Sequence, residues 1–467
     1  NRRYDYTDND TQNLLSATRG HQYDSQSLVV KINDGKEKKS NFELGYYFNK
    51  WDAQEFPGLG THFYAGASLG GDRDFTANQS QFHMAKASYR WFFAEKLSLQ
   101  ASAFYWQNNQ LLIYDHTQSN DHELFQGAQE HRNGLSLTLR QASNSWNMQW
   151  LASIAIDHAK IDDTREDRIR GDGSYLVDSE ASYTGLSRTI DSVFIQTKSG
   201  FFSERLYLLL GARLDNYSDF GQQLTPRSGL IWMVSPSSAL KLLWGNAFRA
   251  GVGAELRGAG VIKGDPKISP ETIDTYELIY MKSQPRWKIN VTYFQSKWQD
   301  AIVARPLAND PDSFTSEYVN RGENSSSGLE VEGQLLLDKL TFSGGFSWVK
   351  SESISEDLDY VAFPEYILNL DMNYEIFPRI LTFSVFNRLH LNAKSGPIKK
   401  NIQNPAPLDD YFRTDLGISG QLTDQLDGYF HVRNIFDRDN ALPSVWNSEG
   451  GIPQQGINAT AGLRMVF

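Results

Sequence analysis

Residue patterns that could support chemistry are few and scattered along this chain. Gly66-Ala-Ser-Leu-Gly70 has the Gly-x-Ser-x-Gly spacing of a nucleophile elbow. That device needs a strand-to-helix turn to expose the serine. The next residues, Gly71-Asp-Arg-Asp-Phe-Thr76, have no helical period, so the segment reads as a loop or strand edge. Asp162-Asp163 with Glu166-Asp167, and Asp310-Pro-Asp312, offer the carboxylates that Ca²⁺ prefers. Neither set has EF-hand spacing, and solvated loop charges are the expectation. Nine histidines are dispersed with no His-Glu-x-x-His pair. His158 falls near a strand top, where it is either a ligand contact or a rim residue without a role. No catalytic residue, metal ligand or cofactor is expected.

Aromatic residues say more. Tyr105, Trp106 and Tyr114 fall at the upper end of one expected strand, and Trp298, Tyr318 and Trp446 fall in long connections. Such residues either anchor a protein at a membrane interface or stack on a ligand. Arg249 sits where a strand meets a long loop, and its planar fork of donors suits an anionic ligand or a wall ion pair. With Arg305, these residues form the candidate ligand-contact set.

Composition narrows what could position them. The chain has 467 residues, no cysteine, 13% aromatic residues and a formal charge of −11. Absence of cysteine excludes a disulfide framework and thiolate metal sites. Net acidity argues against nucleic acid as a partner. No apolar run approaches the roughly 18 residues that a spanning helix needs. A transmembrane barrel stays open, because its strands alternate and escape hydropathy windows. A chain of this length ordinarily splits into domains, yet no linker or charge block divides it, so residues 1–467 read as one domain.

The period along the chain is two. In the last stretch Ile457, Ala459, Ala461, Leu463, Met465 and Phe467 share one face, with Asn458, Thr460 and Arg464 on the other. That stretch alone fits a barrel or a sandwich. Strand pairs then recur: Ser25–Asp34 with Ser40–Lys50, Gln81–Phe92 with Leu97–Gln107, Arg132–Ala142 with Trp146–Asp157, Thr189–Gly200 with Glu204–Tyr217, and Thr225–Ser235 with Ala239–Arg249. Ile273–Lys282 with Trp287–Lys297, Gly328–Leu337 with Leu340–Val349, Tyr366–Ile376 with Arg379–Asn392, and Tyr411–Gly420 with Gln425–Asn434 complete the series. Within pairs the turns are short. Between most pairs lie long connections, at 51–80, 113–130, 158–188, 250–272, 298–327, 350–365 and 435–456. Strands of about ten residues, with short turns at one end and long loops at the other, are the pattern of an outer-membrane barrel. Glu330, Glu332, Asp371, Arg388 and His390 all occupy the polar parity, which a water-filled lumen would keep solvated. The expected fold is therefore all-β, a transmembrane antiparallel barrel with about nineteen visible strands, long extracellular loops and short periplasmic turns. Bacterial barrels have an even strand number, so one or three further strands are expected upstream. An additional strand around Thr11–Thr18 is a candidate.

Several motifs together carry a resemblance. Asn246-Ala-Phe-Arg-Ala250, Glu255-Leu256, Gly264-Asp-Pro-Lys-Ile-Ser-Pro-Glu271 and Tyr276-Glu-Leu278 succeed one another in order. Asp191-Ser-Val-Phe-Ile-Gln196 and Leu210-Gly-Ala-Arg-Leu-Asp215 precede them; Gly328-Leu-Glu-Val-Glu332, Val432-Arg-Asn-Ile-Phe-Asp437 and the stretch Pro453–Phe467 come after. The set resembles the barrel of TonB-dependent outer-membrane receptors, most specifically over residues 185–467. Asp265 and Ile268 stand where that family commonly has Asn and Leu. The resemblance implies 22 strands, an N-terminal plug inside the barrel and a segment engaging TonB. Plug and segment are not in this sequence, so the chain is expected to be a truncated or nicked receptor, or one part of a two-chain assembly. The implied role is import of a scarce nutrient, foremost a ferric siderophore or similar iron chelate, with haem and cobalamin as other substrates of the class. Implied partners are outer-membrane lipid and lipopolysaccharide, the nutrient, and the TonB complex through the missing part. Competing readings are a plugless passive pore or adhesin, and a barrel enzyme, for which no cluster of Ser, His and carboxylates can be assembled.

Overall fold

The computed structural model describes residues 22–34, 40–57, 75–116, 122–142, 147–170, 175–179, 183–258, 262–307, 316–353, 358–359, 363–378, 380–395, 406–443 and 452–465. Among these, twenty-two strands join one sheet. Three of them are short: Tyr175–Ser179, Ile262–Lys263 and Leu358–Asp359. The other nineteen form an antiparallel meander. They are β1 (Gln22–Asn33), β2 (Ser40–Pro57), β3 (Phe75–Ala94), β4 (Leu97–His116), β5 (His122–Gln141), β6 (Met148–Arg170), β7 (Ser187–Phe201), β8 (Leu206–Tyr217), β9 (Gly221–Ser235) and β10 (Ser238–Arg249). The series continues with β11 (Glu271–Gln284), β12 (Trp287–Pro306), β13 (Ser316–Leu337), β14 (Leu340–Ser353), β15 (Tyr366–Phe377), β16 (Leu381–Leu391), β17 (Tyr411–Thr423), β18 (Leu426–Arg433) and β19 (Asn458–Met465). A five-residue helix, α1 (Gly253–Arg257), lies between β10 and β11.

Each long strand pairs with its sequence neighbour, so directions alternate and β1 and β19 run the same way. An antiparallel pair between those two ends is therefore impossible. Among the described residues, β1 pairs only with β2 and β19 only with β18.

Alternation decides what each face does. Leu135 and Leu137 on β5, Ile154 and Ile156 on β6, Val193 and Ile195 on β7, and Leu242 on β10 are exposed. The buried residues are largely polar instead, among them Ser192, Asp215, Glu271 and Asp415. A sandwich would reverse this, burying its two apolar faces against each other. An apolar parity turned to the surroundings and a polar parity turned inward is the wall of a membrane barrel. Aromatic rings mark the two edges of the apolar band. Trp244 and Tyr276 stand with ring centroids 6.5 Å apart at one edge. At the other, the Lys282 ammonium lies 5.5 Å over Trp287. Tyr276 is eight residues from Gln284, the partner of Trp287. That is about 26 Å along the strand at ~3.3 Å per residue, close to the ~25 Å expected of such a band.

Strand ends differ from the sequence expectation. The segment 298–327, expected as loop, is mostly ladder: β12 runs on to Pro306 and β13 begins at Ser316. Similarly, β2 reaches Pro57, β3 begins at Phe75, β4 reaches His116, β5 begins at His122, and β6 reaches Arg170. Above the apolar band both faces meet water, so the hydrophobic alternation stops while the hydrogen-bond ladder continues. The Thr11–Thr18 segment, the Gly66–Gly70 pattern and Asp310–Asp312 lie outside the described residues.

Candidate functional site

The inward parity carries arginine–carboxylate pairs around the wall. Arg213 Nε donates to both carboxylate oxygens of Asp215 at 2.9 and 2.8 Å, and its Nη2 donates to Ser192 Oγ at 2.8 Å. Ser192 in turn donates to Asp215 at 2.5 Å, and Asp215 is buried. Arg132 Nη2 reaches Asp157 at 2.6 Å, and Arg388 Nη1 reaches Asp371 at 2.5 Å. Arg413 and Asp415 form an ion pair at 3.1 Å, and Arg413 also donates to the Tyr411 hydroxyl at 3.1 Å. His390 stacks on that tyrosine, centroids 4.6 Å apart. Two of these pairs are Arg-x-Asp within one strand. Residues two apart share a face, so the sequence itself places each cation beside its anion. Charge-assisted bonds of this kind offset the burial of each carboxylate and leave polar edges toward the lumen.

A second group lies at the outer rim. The β8–β9 connection is only Ser218–Phe220, and the Tyr217 and Phe220 rings stack there at 4.3 Å. Phe248 meets Tyr217 edge-on at 5.6 Å. Arg188 covers both stacked rings, at 5.6 Å from Tyr217 and 5.5 Å from Phe220. It also donates to Asp219 at 2.9 and 2.6 Å and to the Gly251 carbonyl at 2.8 Å. One cation thus ties the short turn to the start of the β10–β11 connection.

The third group centres on Glu271, the first residue of β11. Arg249 donates to it through Nε at 2.6 Å and Nη2 at 2.8 Å, and to Glu255 through Nη1 at 2.9 Å and Nη2 at 3.0 Å. Glu271 Oε1 accepts the Ile302 N–H as well, at 2.6 Å, and the residue is 3% exposed. Ile302 comes directly after a bulge at Ala301, where the β12–β13 register shifts. Glu255 accepts the Val252 N–H at 2.8 Å, capping α1. Asn320 finishes the stitching. It accepts from Ser269 N at 2.7 Å and donates to the Ser269 and Asp300 carbonyls at 2.8 and 2.7 Å. Within the connection, Gly258 has φ +94°, and a Cβ on Gly264 would lie 2.1 Å from the Gly258 nitrogen. Only glycines let the chain cross itself there.

The residues singled out from sequence fall on separate parts of the wall. Arg249 is the wall ion pair, with both faces of its fork occupied by carboxylates. Trp298 lies inside β12, opposite Ile273 and Asn324, and so near the Glu271 group. Arg305 pairs with Glu317 directly across the β12–β13 ladder, next to Tyr318 opposite Ala304. Tyr105 and Trp106 are successive and point to opposite faces. Tyr105 shares the exposed parity of Leu135, with its ring 6.1 Å from His131, while Trp106 turns inward, 6.0 Å from Phe82. Tyr114 continues β4, and its side chain is outside the described residues, as is all of Trp446. The structure therefore gathers Arg249, Trp298, Arg305 and Tyr318 on neighbouring strands and leaves the β4 aromatics on another part of the wall. His158 is bonded to Thr189 at 3.2 Å. Asp162 is shared between His131 and Lys160, the latter at 3.1 Å.

Sequence reasoning did not single out Glu271, Asp215, Arg188 or Phe220. Glu271 is visible in the sequence only as the end of a Pro-Glu motif, and its partners lie 22 and 31 residues away. For Asp215 a signal exists, the Arg-x-Asp spacing on the polar parity.

Comparison with known proteins places the fold. A family model described as TonB dependent receptor-like, beta-barrel, matches residues 2–435. The iron-regulated outer membrane virulence protein of Vibrio cholerae is 25% identical over 307 residues, covering 62% of this chain and 46% of that protein. The chain thus spans about half the length of this curated relative. Among solved structures, the ferripyoverdine receptor of the outer membrane of Pseudomonas aeruginosa, bound to ferripyoverdine, superposes with TM-score 0.75 at 12% identity, covering 95% of this chain and 65% of that one. The copper transporter OprC superposes with TM-score 0.75 at 12% identity, covering 96% and 73%. The inward polar wall and outward apolar band are thus those of a Gram-negative outer-membrane barrel, and the chain belongs to the TonB-dependent receptor-like β-barrel family.

Proposed function

We propose that this chain is the barrel of an outer-membrane receptor that imports a metal chelate, a ferric siderophore foremost, by a TonB-coupled route. Residues 1–467 form one barrel domain in this reading. The observation that carries it is the outer rim itself. Arg188 lies over Tyr217 and Phe220, with Phe248 edge-on and the Arg249 group beside it, so arginines and aromatic rings gather in one place while each guanidinium already holds a carboxylate. Anionic, partly aromatic chelates are recognised by that combination. Names of the relatives agree in kind, iron regulation for one and ferripyoverdine for another. Trp298, Arg305 and Tyr318 belong to the same contact region, on the hairpin tied to Glu271. The chain makes and breaks no covalent bond in this role. TonB and the nutrient are the functional partners.

The test is uptake of ⁵⁵Fe-labelled siderophores by cells that make the whole protein, with and without the proton gradient. Energy-dependent uptake, weakened by Phe220→Ala, is the expected result. Uptake that persists after the gradient is collapsed, with large open conductance in planar bilayers, would establish the passive pore instead.

A further inference from the structure

The outward face is not uniformly bulky. Across β7 to β10 its positions carry branched residues such as Val193, Ile195, Leu214, Leu230 and Leu242, with Ala212 and Ser228 interspersed singly between them. Across β3 and β4 they shrink to Ala87, Ala101 and Ala103 in adjacent registers. Leu44 on β2 and Leu135 and Ile154 on β5 and β6 stand up on either side, all more than 45% exposed. The result is an open groove of about 800 Å³ lined almost wholly by carbon. It crosses five adjacent strands, β2 to β6, or about 19 Å at ~4.8 Å between strands. Aromatic side chains bracket it. Tyr89 and Trp91, in edge contact at 4.5 Å, lie toward the short-turn end. Tyr46, bonded to His83 at 2.9 Å, and Tyr105 lie toward the other. The groove lies between these rings on the outward parity of Leu135 and Ile154, so it opens on the apolar band that faces lipid.

We infer that this groove is a retained-lipid site: it holds one acyl chain of an outer-membrane lipid more firmly than the surrounding bilayer does. The occupant is fixed by position. The groove is continuous with the apolar band that already faces lipid, and a flexible hydrocarbon chain can take a shallow path between side chains of different height. A flat wall offers a chain contact on one side only, whereas the alanine floor adds contacts on both flanks, and dispersion grows with each added pair. The inference rests on the barrel orientation and not on the transported substrate.

Native mass spectrometry of the whole protein, extracted from the outer membrane in mild detergent, reads the bound lipid directly. The double variant Ala101→Leu/Ala103→Leu fills the floor, and Ala152→Leu, on the same face outside the groove, is the control. Expected is one retained lipid fewer in the filled variant at matched collision energy, with the control unchanged and both variants folded by heat-modifiable migration. Equal retention in all three proteins would overturn the inference. So would a wild-type dimer that the filled variant converts to monomer, since that would show a second copy of the chain in the groove.

Discussion

Replacing Glu271 by glutamine should release the β10–β11 connection without unfolding the barrel. The carboxylate accepts two bonds from Arg249, at 2.6 and 2.8 Å, and one from the Ile302 amide at 2.6 Å. Glutamine keeps one carbonyl acceptor and sets an amide donor against the arginine's own donors. Breaking a buried pair by removing one partner costs about 3–5 kcal/mol. The Arg249 side chain is 45% exposed and keeps Glu255, so water and the second carboxylate recover part of that. We expect about 2 kcal/mol, from the ~1.5–3 kcal/mol of one charged hydrogen bond. That is about thirtyfold in the local opening equilibrium, at ~1.4 kcal/mol per tenfold. Hydrogen exchange read by mass spectrometry on the protein in nanodiscs gives the assay. Peptides covering 250–258, 262–272 and 299–306 should exchange about thirtyfold faster, from the same conversion, and those from β6 and β7 should not change. Exchange unaltered in the three segments, or raised equally everywhere, would refute Glu271 as the local tie.

Three further outcomes come from the same geometry. Gly264→Ala should lift the crossing at Gly258 and admit protease within 253–268, seen as a new cleavage site in otherwise intact protein; resistance equal to wild type would count against it. Burial acts to raise the Glu365 carboxyl, but hydrogen bonds from Trp348, Asn392 and Tyr366 outweigh it and hold its pKa below the ordinary 4.5. The carboxylate form is therefore favoured in the folded state, so its contribution is complete above that ordinary value and fades as pH falls through the lowered one. Exchange protection near 348–366 should drop on acidification below pH 4.5, and Glu365→Gln should remove that dependence. Ile154→Arg, on the outward face, should cost about 2–4 kcal/mol near the bilayer midplane, measured by folding into vesicles under urea, whereas Ala155→Arg on the inward face should cost far less.

The wall was more legible in the sequence than the site, for reasons of range. Strand parity is local: Trp150, Ala152, Ile154 and Ile156 alternate with polar residues whatever lies beside them, and the nineteen long strands are the nineteen expected. Their upper limits were not legible. Residues 301–306 and 316–321 are ladder above the band, where water on both faces removes the alternation that marks a strand. The rim group needed register. Nothing local links Arg249 to Glu271 or Glu271 to Ile302; the link appears only when β10, β11 and β12 are aligned. Tyr105 and Trp106 illustrate the same limit, since adjacency in sequence guarantees opposite faces in a strand.

The absence of native cysteine makes the central claim directly measurable. Single cysteines at Ile154, Ala155, Ile156 and Asp157 can be spin-labelled and their collisions with oxygen and with a water-soluble nickel chelate compared in bilayers. Oxygen should dominate at 154 and 156 and the nickel chelate at 155 and 157. Four positions with one common accessibility would contradict a wall with lipid on one side and a wet lumen on the other.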